Sequence, residues 1–309
     1  MKFLVTGGAG FIASHVVDAL ISDGHQVTVA DDLSTGKQEN LNSQAVFYKL
    51  DIRSGEMAEV FAKEKPEVVN HHAAQMDVRR AVREPQFDAS VNVLGSLNIL
   101  ECARKYGARK IIYASTGGAV YGEPENLPVD ESHSIAPLSP YGLTKHTFEE
   151  YLSLYRRLYG IEYTTLRYPN VYGPRQDPHG EAGVVAIFAE QMLSGERPTI
   201  FGDGTKTRDY VFISDIVAAN MLVFKQNHGE VFNLGWGREI SDYQIFTAVR
   251  DALGVKIEPQ YGKKRPGEID RICLNSKKIH RKLGWQPQLS LEEGVARAVE
   301  WYHKKKKAM

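Results

Sequence analysis

Phe3-Leu-Val-Thr-Gly-Gly-Ala-Gly-Phe-Ile-Ala13 is the stretch whose reading decides the fold. Four residues of strand character run into Gly7-x-x-Gly10-x-x-Ala13, and an amphipathic helical pattern continues from Phe11 to about Asp23. The two glycines let the backbone turn tightly and let a pyrophosphate approach the helix N-terminus, where amide donors are free. Ala13 is the third small position, where helix packs on strand. Such a turn between a strand and a helix reads as the start of a dinucleotide-binding unit. Asp31, at the end of the next strand (Val27-Thr-Val-Ala30), is placed to accept hydrogen bonds from an adenosine ribose. Its charge repels a 2′-phosphate, so NAD is expected over NADP.

The same rhythm continues outward. Further strands are expected at Ala45–Tyr48, Val68–His71, Lys110–Ala114 and Glu162–Arg167, with helical patterns between them. Strand–helix alternation of this kind predicts an α/β fold with a doubly wound parallel sheet. Asp51-Ile52, after the third strand, is placed to receive the adenine edge, and His72-Ala-Ala74 offers small residues beside the dinucleotide. Beyond Pro169 the rhythm breaks into the loop-rich Gly173-Pro-Arg-Gln-Asp-Pro-His-Gly180, then a helix near Val184–Leu193 and shorter elements. The expected division is a nucleotide-binding domain over 1–169 and a smaller, mainly substrate-binding domain over 170–309, with some segments returning to the first.

Bulk properties narrow the function. The 309 residues are 42% hydrophobic and 25% charged, and 38 basic side chains balance 38 acidic ones, which offers no electrostatic case for a nucleic-acid or membrane partner. Lys304-Lys-Lys-Lys307 reads as a solvated helix end. Cys102 and Cys273 are the only cysteines; they are far apart and lack metal-ligand spacing, which fits a reducing compartment. His71 and His72 read as packing residues, and no metal is expected. Without a signal-peptide pattern or an apolar run of ~20 residues, the chain is expected in the cytoplasm.

The chemistry is carried by Ser139-Pro-Tyr-Gly-Leu-Thr-Lys145. Tyr141 and Lys145, four residues apart, share one helix face. An ammonium beside a phenol favours the phenolate, so a group with a free pKa of about 10 becomes a usable base near neutrality.

Together these features resemble the extended short-chain dehydrogenase/reductases and, within them, the UDP-glucose (UDP-galactose) 4-epimerases. The resemblance rests on Thr6-Gly-Gly-Ala-Gly-Phe-Ile, Asp51-Ile52, Asn92, Ser115-Thr-Gly-Gly-Ala-Val-Tyr-Gly122, the Tyr141 motif, Leu166-Arg-Tyr-Pro-Asn-Val-Tyr-Gly173, Arg208-Asp-Tyr210, Arg265-Pro-Gly-Glu268 and Leu283-Gly-Trp285. It implies an isomerase of carbohydrate and galactose metabolism that oxidises a UDP-sugar at C4 with NAD and returns the hydride to the other face. To the cofactor it gives Gly7, Gly10, Phe11 and Ile12, then Asp31, Asp32, Leu33, Ser34, Thr35 and Gly36. Asp51, Ile52, His72, Ala73, Ala74, Gln75, Asn92, Tyr168 and Pro169 join them, with Tyr141 and Lys145 at the nicotinamide end. To the substrate it gives Thr116 and Tyr141 at the sugar, and Asn170, Arg208 and Arg265 near the diphosphate. Glu268 falls near the uridine ribose, Thr199 and Phe201 near the uracil, with Val184, Val185 and Tyr210 also in contact. A homodimer is implied through helices of the nucleotide domain.

At one place the chain departs from the family pattern. Counting back from Val120-Tyr-Gly122, the catalytic hydroxyl position is Gly117, so Thr116 or Ser115 must take over or Tyr141 must act alone; Thr116 is favoured. Sugar 4,6-dehydratases carry Asp-Glu just after the threonine, where this chain has Gly117-Gly118. Without carboxylates to remove water, epimerisation is the expected outcome. A UDP-hexuronate epimerase or decarboxylase and a nucleotide-sugar reductase or dehydratase are the alternatives. A non-catalytic NAD sensor is more remote, since Tyr141 and Lys145 are both present. Ile272 aligns with a wall position linked in the family to accepting N-acetylated sugars, and its intermediate size leaves that choice open.

Overall fold

The computed structural model describes residues 1–179, 183–226, 229–264 and 269–308. Its strands are β1 (Lys2–Thr6), β2 (Gln26–Asp31), β3 (Val46–Lys49), β4 (Val68–His71), β5 (Lys110–Thr116), β6 (Glu162–Tyr168), β7 (Asn170–Tyr172), β8 (Thr199–Phe201), β9 (Thr207–Arg208), β10 (Tyr210–Phe212), β11 (Glu230–Asn233), β12 (Ile240–Ser241) and β13 (Gln260–Gly262). Its α-helices are α1 (Phe11–Ser22), α2 (Met57–Glu64), α3 (Val78–Arg83), α4 (Pro85–Ala89), α5 (Ser96–Tyr106), α6 (Pro140–Tyr159), α7 (Val184–Leu193), α8 (Ile213–Val223), α9 (Asp242–Leu253), α10 (Lys277–Leu283) and α11 (Leu291–Ala308). A π-helical turn, Ser90–Gly95, joins α4 to α5.

Seven strands form one sheet in the order β11-β6-β5-β4-β1-β2-β3. β1 pairs in parallel with β2 and β4, β2 with β3, and β4 with β5. This is the expected doubly wound α/β architecture. The chain winds from β1 toward β3, then returns to place β4 on the other side of β1, so a topological switch point lies between β1 and β4. Thr6 stands opposite both Ala30 and His71, and His71 opposite Tyr113. Four strand ends therefore meet at one carboxyl edge, the place where open α/β sheets bind ligands. The six strands expected from sequence are present; β11, which extends the sheet beyond β6, was not among them.

Helix α6 is built for length and position. Ser139 caps it, accepting the Gly142 N–H at 3.2 Å; Pro140 opens the first turn, and Gly160 ends it in the left-handed region at φ 72°. Phe148, fully buried on its inner face, meets the Tyr113 ring of β5 with centroids 4.8 Å apart. Ile99, Leu100 and Ala103 of α5 and Leu4, Val69 and Ile111 of the sheet complete that core. Truncating Phe148 to alanine would cost about 3–5 kcal/mol, so α6 is fixed on the sheet by packing.

The chain gathers into two compact units. The first comprises 1–120, 137–167 and 217–232, and the second 121–136, 168–216 and 233–309. In the second unit α7, α9 and α11 pack together, with Phe188 and Phe246 in edge contact at 6.1 Å and Val295, Ala298 and Val299 buried beside them. Among the described residues no helix is long and apolar enough to cross a membrane, and no group of three or more His, Cys, Asp or Glu side chains converges to hold a metal.

Candidate active site

The turn after β1 has the features a dinucleotide requires. Gly7 sits at φ 70°, and a Cβ there would lie 2.7 Å from the Ala73 nitrogen, so only glycine fits between β1 and the segment after β4. Gly10 is the N-cap of α1, with no side-chain cap and no acidic residue in the first turn. The helix thus offers uncapped amides to an anion. Phe11 and Ile12 open that helix. Asp31 ends β2 and is buried, accepting the Ala9 N–H at 2.9 Å and the Leu33 N–H at 2.8 Å. Burial raises its carboxyl above the usual range, opposed by these two amides. Each oxygen keeps a second lone pair for a ribose hydroxyl. Gly36 presses on the same carboxylate: a Cβ there would come within 2.8 Å of Oδ1. The adjoining Asp32 is held by Ser34, whose hydroxyl donates at 2.6 Å, and Thr35 completes the loop. Asp51 is pinned by the Arg53 guanidinium at 2.5 Å, while Ile52 is buried under Gly95. These residues fit NAD.

His71 and His72 follow different paths. His71 shares hydrogen bonds with the Thr6 hydroxyl at 2.6 Å and Ser96 at 2.9 Å and stacks on Tyr113; burial holds it neutral. His72, half-buried, is pushed down to about 3 by desolvation and then by the Lys145 charge. Ala73 donates its N–H to Thr6 Oγ1 at 3.3 Å, and Ala74 precedes Gln75, whose backbone N–H is received by Asn92 at 2.8 Å.

The helix α6 carries Tyr141, Lys145 and Glu149 at successive intervals of four, one stripe on one face. Gly142 lets this stripe reach its place. A Cβ on Gly142 would lie 2.4 Å from the Ala119 carbonyl oxygen, so the first turn of α6 rests directly on the loop after Thr116. Tyr141 is half-buried; Lys145 is buried, with Nζ 4.4 Å from the centre of the Tyr113 ring. Burial pushes Lys145 down to about 7, while Glu149 and then Asp88 pull it upward. The two candidate hydroxyls have different surroundings. Ser115 is buried and donates to Glu149 at 2.5 Å, and Glu149 in turn pairs with Arg167 at 2.5 Å. Thr116, the last residue of β5, is half-buried, at the start of the loop on which the first turn of α6 rests. Sequence reasoning left these two as alternatives; Ser115 is committed to a buried ion-pair network.

The second unit brings other expected residues together. Asn170 opens β7 and pairs with Tyr210 on β10, donating its N–H to the Asp209 carbonyl at 3.0 Å. Tyr168 is buried at the end of β6, and Pro169 links β6 to β7. Arg208, on β9, donates to the Thr207 carbonyl at 2.8 Å. β8 pairs with β13, where Gln260 donates to Thr199 Oγ1 at 2.8 Å and Phe201 covers Gly262. Val184 begins α7 half-exposed, whereas the Val185 side chain is in the core, as is Ile272. Arg265 and Glu268 lie outside the described residues.

Sequence reasoning missed several buried carboxylates, Glu149, Asp88 and Asp209 among them. Asp88 accepts from Gln75, Asn92 and Thr144. Asp209 accepts the backbone N–H groups of Trp236 at 3.1 Å, Gly237 at 3.0 Å and Leu274 at 3.0 Å. Burial pushes Asp209 up to about 6 in spite of these amides. Spacing held a signal for Asp88, which stands four residues before Asn92. For Asp209 there was none, because its partners are main-chain groups.

Known proteins are similar to this chain over nearly its whole length. Residues 3–235 match the model of the NAD dependent epimerase/dehydratase family. A UDP-glucose 4-epimerase of Mycolicibacterium smegmatis is 46% identical, with 99% of each chain covered. Among solved structures, a UDP-glucose 4-epimerase from Thermotoga maritima with UDP-glucose is 50% identical, at a TM-score of 0.97 over 99% of this chain and 100% of that one. A Thermus thermophilus UDP-glucose 4-epimerase in complex with NAD is 42% identical, at a TM-score of 0.94 over 98% of this chain and 99% of that one. With the family match running over 3–235 and with relatives this similar over nearly the whole length, this chain belongs to the NAD dependent epimerase/dehydratase family.

Proposed function

We propose that this chain is an NAD-dependent UDP-glucose 4-epimerase, interconverting UDP-glucose and UDP-galactose through a 4-keto sugar. The observation that carries the reading is the stripe on α6: a phenol and a buried ammonium one turn apart, seated by Gly142 against the loop that follows Thr116. In this reading Tyr141 takes the proton of the sugar 4-hydroxyl and gives it back once the ring has presented its other face. The Lys145 ammonium favours the phenolate. Thr116 hydrogen-bonds the same sugar oxygen, a role for which Ser115 is poorly placed because its hydroxyl is spent on Glu149. NAD, when bound, supplies what the side chains lack, accepting a hydride from C4 and returning it. The turn at Gly7 and Gly10, with Asp31 and Gly36, holds it. Gly117-Gly118 supports epimerisation over dehydration, since neither residue can protonate or deprotonate the sugar.

The second unit is read as the anchor for the nucleotide, with Asn170 and Arg208 at the diphosphate; Arg265 and Glu268 belong to the same reading from sequence. Guanidinium groups suit a diphosphate because each presents a planar fork of donors. A second copy of the chain is the expected partner. Leu94 beside α5, and Leu143, Leu154 and Leu158 on α6, are exposed apolar side chains of the nucleotide unit that such a partner would cover. Two buried, unbridged cysteines support a cytoplasmic location. Incubation of the purified, NAD-loaded protein with UDP-galactose should form UDP-glucose, separable by anion-exchange chromatography. Unchanged UDP-galactose would overturn the assignment.

A further inference from the structure

Lys145 is buried among a small set of charged and titratable groups. Tyr141 and Glu149 flank it along α6, Tyr113 faces it from β5, and His71 and His72 act on it from the end of β4. Asp88 acts on it from α4. Both histidines are held neutral by burial, and the Tyr113 phenol is driven well above its usual range. Two carboxylates are left to balance the ammonium. Glu149 exerts the stronger attraction, but it already has a cation: Arg167 grips it through Nη2 at 2.5 Å and Nε at 3.1 Å. Arg167 and Glu149 cancel to first order.

Asp88 is different. It is fully buried, and all its hydrogen-bond donors are neutral: Gln75 Nε2 at 2.8 Å, Asn92 Nδ2 at 3.1 Å and the Thr144 hydroxyl at 2.6 Å. Among the described residues it has no ion-pair partner. A buried carboxylate without a counter-charge is costly, and so is a buried ammonium. Thr144 precedes Lys145 on α6, so the bond that fixes Asp88 also fixes its separation from Lys145. Asn92, on the π-helical turn, returns its amide to the Gln75 carbonyl at 2.9 Å and locks the far side of the cluster.

We propose that Asp88 is a positioning residue for Lys145: its buried charge, clamped by Gln75, Asn92 and Thr144, is the standing counter-charge that keeps Lys145 protonated. At the low effective dielectric of a packed interior this acts beyond ion-pair distance. The catalytic meaning rests on the function proposed above, but the charge coupling does not.

The test is a pH titration of Lys145 in the NAD-loaded chain without substrate. It is followed by the 13C resonance of its ε-carbon in lysine-labelled protein, assigned by the signal missing from Lys145→Arg. Asp88→Asn should lower the midpoint by about one pH unit or more, roughly a tenfold weaker hold on the proton. Thr144→Val keeps the charge and should leave the midpoint nearly in place. An Asp88→Asn midpoint within about 0.2 unit of the native one overturns the proposal, and so does a Thr144→Val shift as large as that of Asp88→Asn. If Asp88→Asn does not fold, the Asp88 carboxyl 13C shift in the native chain decides. An ionised carboxylate at neutral pH supports the counter-charge, and a protonated acid overturns it. In turnover, Asp88→Asn should lose about tenfold more activity at pH 8 than at pH 6, since a structural defect alone would lower both alike. Lys145 is titrated without substrate, so a failure of epimerisation leaves this result standing.

Discussion

Asp88 and Asp209 are both buried aspartates, one in each compact unit, and they are held by opposite means. Asp88 is met by three side chains that regular elements bring into register: Gln75 after β4, Asn92 on the π-helical turn and Thr144 on α6. Asp209 is met by the main chain, taking the amides of Trp236, Gly237 and Leu274. A Cβ on Gly235 would come within 2.5 Å of its Oδ2, so the loop closes directly on it. The difference reflects what each unit must solve. Around Asp88 the helices satisfy their own backbone, and side chains are left to hold the carboxylate. In the second, short strands leave amides without ladder partners, and a carboxylate supplies the acceptor. Asp88 is therefore held by packed helices in one unit, and Asp209 ties loops together in the other.

This contrast predicts that substitutions in the first unit act on turnover and those in the second on substrate affinity. The largest effect is expected for Tyr141→Phe, which should lower kcat by ~100-fold or more, the scale for losing a general base, with UDP affinity by calorimetry unchanged. A variant retaining most of its turnover removes Tyr141 from the mechanism.

Next are the two adjacent hydroxyls. Thr116→Val should cost about 10- to 100-fold in kcat, from a hydrogen bond made in the transition state. Ser115→Ala should leave kcat within a few-fold but destabilise the fold by about 1–3 kcal/mol, because Glu149 loses a buried donor. Chemical denaturation and saturating kinetics on both variants read this directly. The reverse pattern would make Ser115 the catalytic hydroxyl and Thr116 structural.

Asp209→Asn should raise the KM for UDP-sugar by roughly tenfold, since an amide NH2 turned toward a backbone N–H loosens the loops beside Arg208 at about 1–3 kcal/mol, while kcat changes little. A fall in kcat at constant KM would erase the contrast between the units.

The same variant also carries a pH dependence, read in stability rather than in kinetics. A carboxyl raised to about 6 in the fold favours its protonated form there, so its contribution to stability is greatest below about pH 4 and declines as pH rises to about 6. Asp209→Asn does not titrate and lacks that decline. Its stability relative to the native chain should therefore improve by about 2 kcal/mol between pH 4 and pH 7. A gap that widens with pH would mean that the amides outweigh burial.

The two units also differed in legibility. The strands of the first were readable because burial on both faces demands continuous apolar runs such as Lys110-Ile-Ile-Tyr-Ala114, each followed by a helical period. β11 escaped because Glu230-Val-Phe-Asn233 is short and pairs only at long range, beside β6. The helical stretch between His71 and Lys110 is divided into α3, α4, the π-helical turn and α5, and that break sets Asn92 against Asp88. In the second unit, two- and three-residue strands carry too little periodicity to read.

Sequence by itself determined the glycine turn, the carboxylate at Asp31 and the four-residue spacing of Tyr141 and Lys145, because φ freedom, charge and helical period are local properties. It also determined the absence of carboxylates at Gly117 and Gly118. Only the tertiary structure decided that Ser115 is occupied by Glu149, that Glu149 belongs to Arg167, and that Asp88 is held by the neutral donors of Gln75, Asn92 and Thr144. Which charges meet in a buried space depends on how distant segments pack, and pairing of that kind leaves no local trace in the chain.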